Sequence, residues 1–332
     1  MPGTAYDRLT VTTVTARVPA KVNLQLAVGP PRGDGYHDLV TVFHAVSLFD
    51  EVTVRPAERT SVVVTGEDAA SVPSGRANLA ARAARALATA SMRRRGKSAV
   101  RIEVRKRIPV AAGLAGGSAD AAATLVACNE LWGAGLTQPE LREVAASVGS
   151  DVPFALLGGT AIGQGRGEQL TAALAAGTYH WVLAFASGGL STPEVYATCD
   201  RLRAARAAAD RRDSTGHAGP AEEAYQPRLS TELMAALRSG DPAAVGPLLS
   251  NDLQPAAVSL RPDLRRALNA GREHGALGAM VSGSGPTCAF LAADARRARE
   301  LAVALTGAGV CRAVAQVKGP AAGAAVIPAE RR

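Results

Sequence analysis

Apolar and polar residues alternate from Val11 to Val28 (VTTVTARVPAKVNLQLAV), the period of a half-buried β-strand. Within this strand Lys21, Asn23 and Gln25 share one face, while Val22, Leu24 and Leu26 share the other. A turn-rich segment, GPPRGDGYHD, follows, and β-like sequence resumes through Val54. Asn78 precedes the alanine-rich run LAARAARALATA and reads as a helix N-cap. Val100–Val110 alternates again as a basic strand, and a second helix is expected from about Ser118 to Leu131, closed by Gly133 and Gly135. Further on come a strand at His180–Ala186, a helix at Pro262–His274, and two apolar strand-like pieces around a glycine turn in Ala279–Leu291. VCRAVAQV reads as the last strand. Helices and strands mix without a strict βαβ rhythm, which predicts an α+β fold.

The pattern changes around residues 165–180, which divides the chain into an N-terminal domain over 11–165 and a C-terminal domain over 175–318. Residues 201–228 are poor in bulky apolar side chains and rich in Ala, Arg, Gly and Pro, so they read as a partly helical insertion with a mobile centre. Residues 319–332 read as a tail.

Composition narrows the class. At 332 residues, the chain is long enough for two domains, each with a core. Cys128, Cys199, Cys288 and Cys311 stand far apart, which argues against a disulfide framework or a zinc site and fits a reducing compartment. The N-terminus carries no charged segment followed by an apolar one, and no run of 18 or more apolar residues suggests a membrane span. A cytoplasmic protein with no membrane partner is expected, monomeric or weakly dimeric. The net charge of +8 raises nucleic acid as a partner. The densest basic stretch (Arg93, Arg94, Arg95, Lys97, Arg101, Arg105, Lys106, Arg107) contains no aromatic residues for stacking, so it reads as a solvated face.

The strongest chemical signal is residues 109–122, PVAAGLAGGSADAA. Glycine is costly unless the chain must turn tightly or let something approach its backbone. Known phosphate templates fail here and elsewhere: Gly96-Lys97-Ser98 lacks the required glycine at Ser91, and Gly163–Glu168 lacks the last glycine of G-x-G-x-x-G. G-x-S-x-G fails at Ser118 and Ser284. Nonetheless Gly113, Gly116 and Gly117 let backbone N–H groups converge where a helix begins, and such a terminus favours an anion. The alternative is a tight strand-to-helix turn with Ser118 as its cap.

The run Pro109–Ala122 resembles the central motif of the GHMP kinases, which include galactokinase, homoserine kinase and mevalonate kinase. Pro19–Leu24 (PAKVNL) resembles the family's N-terminal motif and Val281–Thr287 (VSGSGPT) its C-terminal one, in the right order. The resemblance implies a two-domain fold: an N-terminal ATP-binding domain of ribosomal-protein type and a C-terminal ferredoxin-like α/β sandwich, with the active site between them. It implies ATP as co-substrate and Mg2+ as its companion ion. It assigns ATP binding to Pro109, Val110, Ala111, Ala112, Gly113, Leu114, Ala115, Gly116, Gly117, Ser118 and Ala119, with Asn78 near adenine and Ser118 as a candidate metal ligand. Catalysis falls to Asp151, within Gly149–Phe154 (GSDVPF), as base or orienter of a hydroxyl, and to Lys21 as charge stabiliser.

Gly33–Leu39 (GDGYHDL) and Leu190–Tyr196 (LSTPEVY) resemble the substrate segments of those GHMP kinases that phosphorylate a cytidine-diphosphate-linked polyol. Asn23, Tyr36, His37, Thr192 and Tyr196 are then the substrate-binding candidates, with Tyr36 and Tyr196 on the base and His37 at its edge. A homoserine- or mevalonate-type kinase is the nearer rival, and a basic RNA-binding module the distant one. Two departures from the family pattern bear on nucleotide affinity: Ala115 stands for a usual glycine and Ala119 for a usual serine. Alanine at 115 is harmless only if its φ is negative and no phosphate comes close.

Overall fold

The structure, a computed structural model, describes residues 13–73, 75–91, 98–213 and 225–328, with 210–213 as backbone only. Arg93–Arg95, Lys97, the centre of the 201–228 insertion and the last four residues of the expected tail lie outside the described residues.

Strands β1 (Val14–Pro31) and β2 (His37–Pro56) form one long antiparallel hairpin. Its register shifts after Pro19, Asn23 and Val28, so the ribbon bends. The turn closes with Arg32 N donating to Tyr36 O (2.7 Å), and Gly35 at φ 81° supplies the left-handed residue it needs. β3 (Ser61–Gly66) lies parallel to β4 (Val100–Lys106), and β4 pairs with β2. Between them α1 (Leu79–Ser91) starts where Asn78 Oδ1 accepts from Ala80 N (2.9 Å), the expected cap. α2 (Gly116–Leu131), α3 (Gln138–Val148) and α4 (Val152–Leu157) complete the helical layer, and α3 begins with a capping box of Thr137 and Glu140. Buried alanines, Ala80, Ala83 and Ala84 on α1 and Ala119, Ala121 and Ala122 on α2, let these helices and the sheet pack into one core. β5 (Thr160–Gln164) and β6 (Gln169–Ala172) extend the sheet from β2.

The second half is built on β7 (Tyr179–Phe185), followed by α5 (Thr192–Asp213), α6 (Thr231–Ser239), α7 (Pro242–Val245) and a two-residue strand, β8 (Ser250–Asn251). Then come α8 (Gln254–Leu260), α9 (Asp263–Glu273), β9 (Gly278–Val281), β10 (Cys288–Ala292), α10 (Ala295–Gly307) and β11 (Ala313–Gly319). The sheet order is β11-β7-β10-β9, all antiparallel. Strand, helices, two strands, helix, strand in this order is the ferredoxin-like arrangement. The core under its helices holds Val182, Leu268 and Phe290, each contributing about 1.5–3 kcal/mol by burial, while Trp181 and Leu183 on the other face join the core of the first sheet. Phe290 packs on α9 at Gly271, where a Cβ would come within 2.1 Å of the ring.

Several expectations are corrected. β1 is buried on both faces from Val18 to Val28, not half-buried, because the glycine loop covers Lys21 and the second half of the chain covers Gln25 on its polar face. Lys106 is buried rather than solvated: on β4 it shares the inward parity of Val100, Ile102 and Val104. The stretch after Gly319 is no loose tail as far as residue 328. Its strand β12 (Ala325–Ile327) pairs with the start of β1, and Ala324 N donates to Ala155 O (2.9 Å). Three residues of strand are too few to show a period, so this edge escapes sequence reading. β6 continues the first sheet beyond residue 165, and β8 and β12 both return to β1, so the first sheet is not built from one block of sequence. Among the described residues no helix is long and apolar enough to cross a membrane.

Candidate active site

A cavity of about 490 Å³ opens between the two sheets. One wall is Lys21, Asn23, Thr41 and Phe43 from the β1–β2 hairpin, with the glycine loop beside them; the other is Leu190–Pro193 with Gly283 and Ser284. A second cavity of about 540 Å³ adjoins it, lined by Tyr36, His37, Arg166, Tyr196 and Asp200. Ser118, Asp151, Thr192 and Tyr196 border both, so these residues stand at the seam.

The glycine loop ends in an open helix terminus. α2 starts at Gly116, two residues before the expected position, because both glycines enter the helix. Its N-cap residue, Ala115, has no side chain with which to cap. The first intrahelical donor is Ala119 N, to Ala115 O (2.9 Å), and the earlier N–H groups are left for an anion. Ala115 has φ 58°, the left-handed conformation in which alanine is strained, so the unfavourable condition for this substitution holds. Gly113, at φ 76°, is where all three motifs meet: its carbonyl accepts from Lys21 Nζ and from Ser282 Oγ, each at 3.1 Å. A Cβ at Gly113 would lie 2.0 Å from Ser282 O, so no other residue fits there unless the loops move apart.

The sequence-predicted nucleotide set is only partly brought together. Ala111, Ala112, Gly113 and Ala115–Ser118 line the main cavity. Leu114 and Ala119 turn into the core. Pro109 and Val110 border a separate cavity of about 290 Å³ on the far side of the loop. Asn78 spends its side chain on the helix cap and on Pro73 O (2.9 Å), while the neighbouring Leu79 reaches the cavity wall.

Lys21 is 6% exposed, and its Nζ donates to Asn23 Oδ1 (2.6 Å) as well as to Gly113 O. Asn23 Nδ2 in turn donates to Thr41 Oγ1 (2.8 Å), and Thr41 Oγ1 to Gln25 O (2.7 Å). Burial pulls the Lys21 pKa below the ordinary lysine value, and the nearby Asp151 carboxylate pushes it back up. Asp151 occupies the N-cap position of α4, but with a helical backbone (φ −86°, ψ −9°) and no capping hydrogen bond from its side chain. Capping therefore does not account for this carboxylate, which borders both cavities.

In the second cavity Tyr36 is 51% exposed and lies under the Arg166 guanidinium, 4.9 Å from the ring centroid. The His37 ring packs on Tyr196 at 5.0 Å between centroids, tilted by 41°. Burial and the Asp151 carboxylate push the Tyr196 phenol well above its ordinary pKa. Thr192 Oγ1 and Ser284 Oγ share a hydrogen bond of 2.9 Å across the seam. Sequence reading missed Arg166, Ser284 and Asp200 as wall residues. Arg166 sits inside the failed glycine pattern, and Asp200 follows Tyr196 by four residues, one helical turn along α5.

Comparison with known proteins bears on both halves of the chain. The model of the GHMP kinases N terminal domain matches residues 78–159, and that of the GHMP kinases C terminal domain matches residues 233–311. The chain is 55% identical to the 4-diphosphocytidyl-2-C-methyl-D-erythritol kinase of Mycolicibacterium smegmatis over 98% of its own length and 96% of the relative's. It is 53% identical to the kinase of that name from Thermobifida fusca, over 95% of this chain and 99% of the relative. A crystal structure of 4-(cytidine 5'-diphospho)-2C-methyl-D-erythritol kinase superposes with a TM-score of 0.69 at 33% identity, covering 91% of this chain and 98% of that one. A homoserine kinase from Cytophaga hutchinsonii shares the fold, with a TM-score of 0.71 at 19% identity.

Proposed function

This chain belongs to the GHMP kinase family, and we propose that it transfers the γ-phosphoryl group of ATP to the 2-hydroxyl of 4-diphosphocytidyl-2-C-methyl-D-erythritol, giving the 2-phosphate and ADP, a step of the non-mevalonate route to isoprenoids. The observation that carries the reading is the uncapped Asp151 carboxylate at the seam of two adjoining cavities, electrostatically coupled to buried Lys21. One cavity holds an open helix terminus suited to a triphosphate, and the other is walled by Tyr36, His37 and Tyr196, suited to a nucleobase.

Phosphoryl transfer asks little covalent work of a protein; positioning and charge stabilisation dominate. Asp151 accepts a hydrogen bond from the substrate hydroxyl and orients it toward the phosphate. Lys21, fixed by Asn23 and Gly113, stabilises the charge on the transferring group. No cluster of three or more His, Cys, Asp or Glu among the described residues holds a metal ion by itself. Mg2+ would enter on the triphosphate and neutralise it, with Ser118 Oγ and Asp151 as the protein oxygens at hand.

The test is ADP release by the purified protein with ATP and Mg2+, offered the cytidine compound, homoserine and mevalonate in parallel. Turnover with the cytidine compound alone is expected. Turnover of homoserine or mevalonate instead would overturn the substrate assignment, and an Asp151→Asn protein with near-normal kcat would remove Asp151 from the mechanism.

A further inference from the structure

Asp200 is the carboxylate in the second cavity that the three motifs leave without a task. It is carried by α5, one turn beyond Tyr196. Both of its carboxylate oxygens lie 3.1 Å from His37 Nε2. No other cation competes for it among the described residues: Arg203 pairs with Asp252 (2.9 Å), Arg201 donates to Thr198 (2.7 Å), and Arg32 pairs with Asp34 and Asp38. Arg166, across the cavity, is stacked on Tyr36.

An aspartate carboxylate only accepts hydrogen bonds, so Nε2 must carry the ring hydrogen. A neutral imidazole has one ring N–H, which leaves Nδ1 as a bare acceptor. Nδ1 has no hydrogen-bond partner among the described residues, and His37 borders the cavity. The ring is also packed against Tyr196, which opposes a flip that would exchange the two nitrogens.

We propose that Asp200 is a specificity-determining positioning residue: it fixes the tautomer of His37 so that Nδ1 accepts from the exocyclic amino group of cytosine and repels the carbonyl that uracil carries in the same place. The proposal rests on the reading of the second cavity as the base site. Cytosine offers N–H donors at that edge and a uracil-type base offers an oxygen acceptor, so an acceptor on the protein separates them. An oxygen facing Nδ1 is an unpaired contact in a confined site, the kind that polar sites reject most strongly.

The test compares the binding of CDP and UDP by calorimetry, with ADP present at saturation, for the wild type, Asp200→Ala and Asp200→Glu. The wild type is expected to prefer CDP by about tenfold or more. In Asp200→Ala the preference collapses toward unity through loss of CDP affinity, and Asp200→Glu restores part of it. A purely structural role would weaken both nucleotides equally. Independently of any variant, the ¹⁵N shifts of the neutral His37 ring must report hydrogen on Nε2 and none on Nδ1. Hydrogen on Nδ1, equal binding of CDP and UDP by the wild type, or an intact preference in Asp200→Ala would each overturn the proposal. Absence of turnover with an intact CDP preference would instead overturn the proposed reaction and leave the role of Asp200 standing.

Discussion

Two lysines of one sheet, Lys21 on β1 and Lys106 on β4, are both buried and keep opposite company. Lys106 Nζ lies between two carboxylates, donating to Asp50 Oδ2 (2.5 Å) and Asp120 Oδ2 (2.8 Å). Lys21 Nζ meets only neutral oxygens, those of Asn23 and Gly113, and its charge partner Asp151 acts from beyond ion-pair distance. The pKa directions follow: the two carboxylates raise Lys106 against its burial, whereas burial outweighs Asp151 and lowers Lys21. A buried ammonium already neutralised holds structure together. One left under-neutralised beside an open cavity is poised for an incoming anion, and a triphosphate is such an anion.

The sharpest break of this comparison is Lys21→Met. Losing one preorganised cation at the transferring group is expected to lower kcat by about 10²–10³-fold. Stability should hold or rise, because a desolvated charge is removed. The pH dependence gives the sign. The unfolded chain keeps the Lys21 proton up to pH 10.5, while the native state releases it earlier, so this lysine makes wild-type stability climb with pH toward 10.5. Lys21→Met should flatten that climb in denaturant titrations, and a variant that melts far below the wild type would show that Lys21 is structural after all.

Lys106→Met should do the reverse. It strands two buried carboxylates, and breaking such a cluster costs about 3–5 kcal/mol, read as a lower denaturation midpoint at unchanged slope. Within the cluster, Asp50 is the better satisfied, since its Oδ1 also accepts from Arg107 N and Ile108 N (2.9 Å). Asp120 Oδ1 has no hydrogen-bond partner among the described residues, and burial pushes the Asp120 carboxyl up to about 7. The native state therefore holds a proton that the unfolded chain has released, and this group lowers stability as pH rises from about 4 to about 7. The isosteric Asp120→Asn should remove that decline; a decline of the same size in the variant would assign it to another group.

These two lysines also measure what the sequence discloses. Lys21 was legible because it sits in an ordered motif, and the strand period alone placed it with Asn23 and Gln25. The same period applied to β4 places Lys106 inward with Ile102 and Val104, but the run of neighbouring arginines invited a single solvated reading. Its partners, 56 and 14 residues away, carry no local mark of the pairing. The α+β class and the glycine-rich helix entry followed from period and turn chemistry. β12 and the pairing of Asp200 with His37 depend on tertiary approach between segments far apart, to which local pattern is blind.

The smallest expected effect concerns the floor of the cavity above Lys106, where a Cβ at Gly116 would stand 3.3 Å from its Nζ. Ala115, the residue just before, holds a left-handed conformation that costs alanine about 1–2 kcal/mol. Glycine there relieves that strain but loses about 0.5–1 kcal/mol through the greater freedom of its unfolded chain. Ala115→Gly should therefore stabilise the protein by about 1 kcal/mol or less. It should also tighten ADP binding only slightly, since the N–H donors of α2 are already in place. Gly113→Ala is the opposing control, because its new methyl would collide with Ser282 O and force the two motif loops apart. A lower melting temperature for Ala115→Gly would mean that the left-handed turn is held by more than the alanine, and that the loop's open anion site does not depend on a glycine at 115.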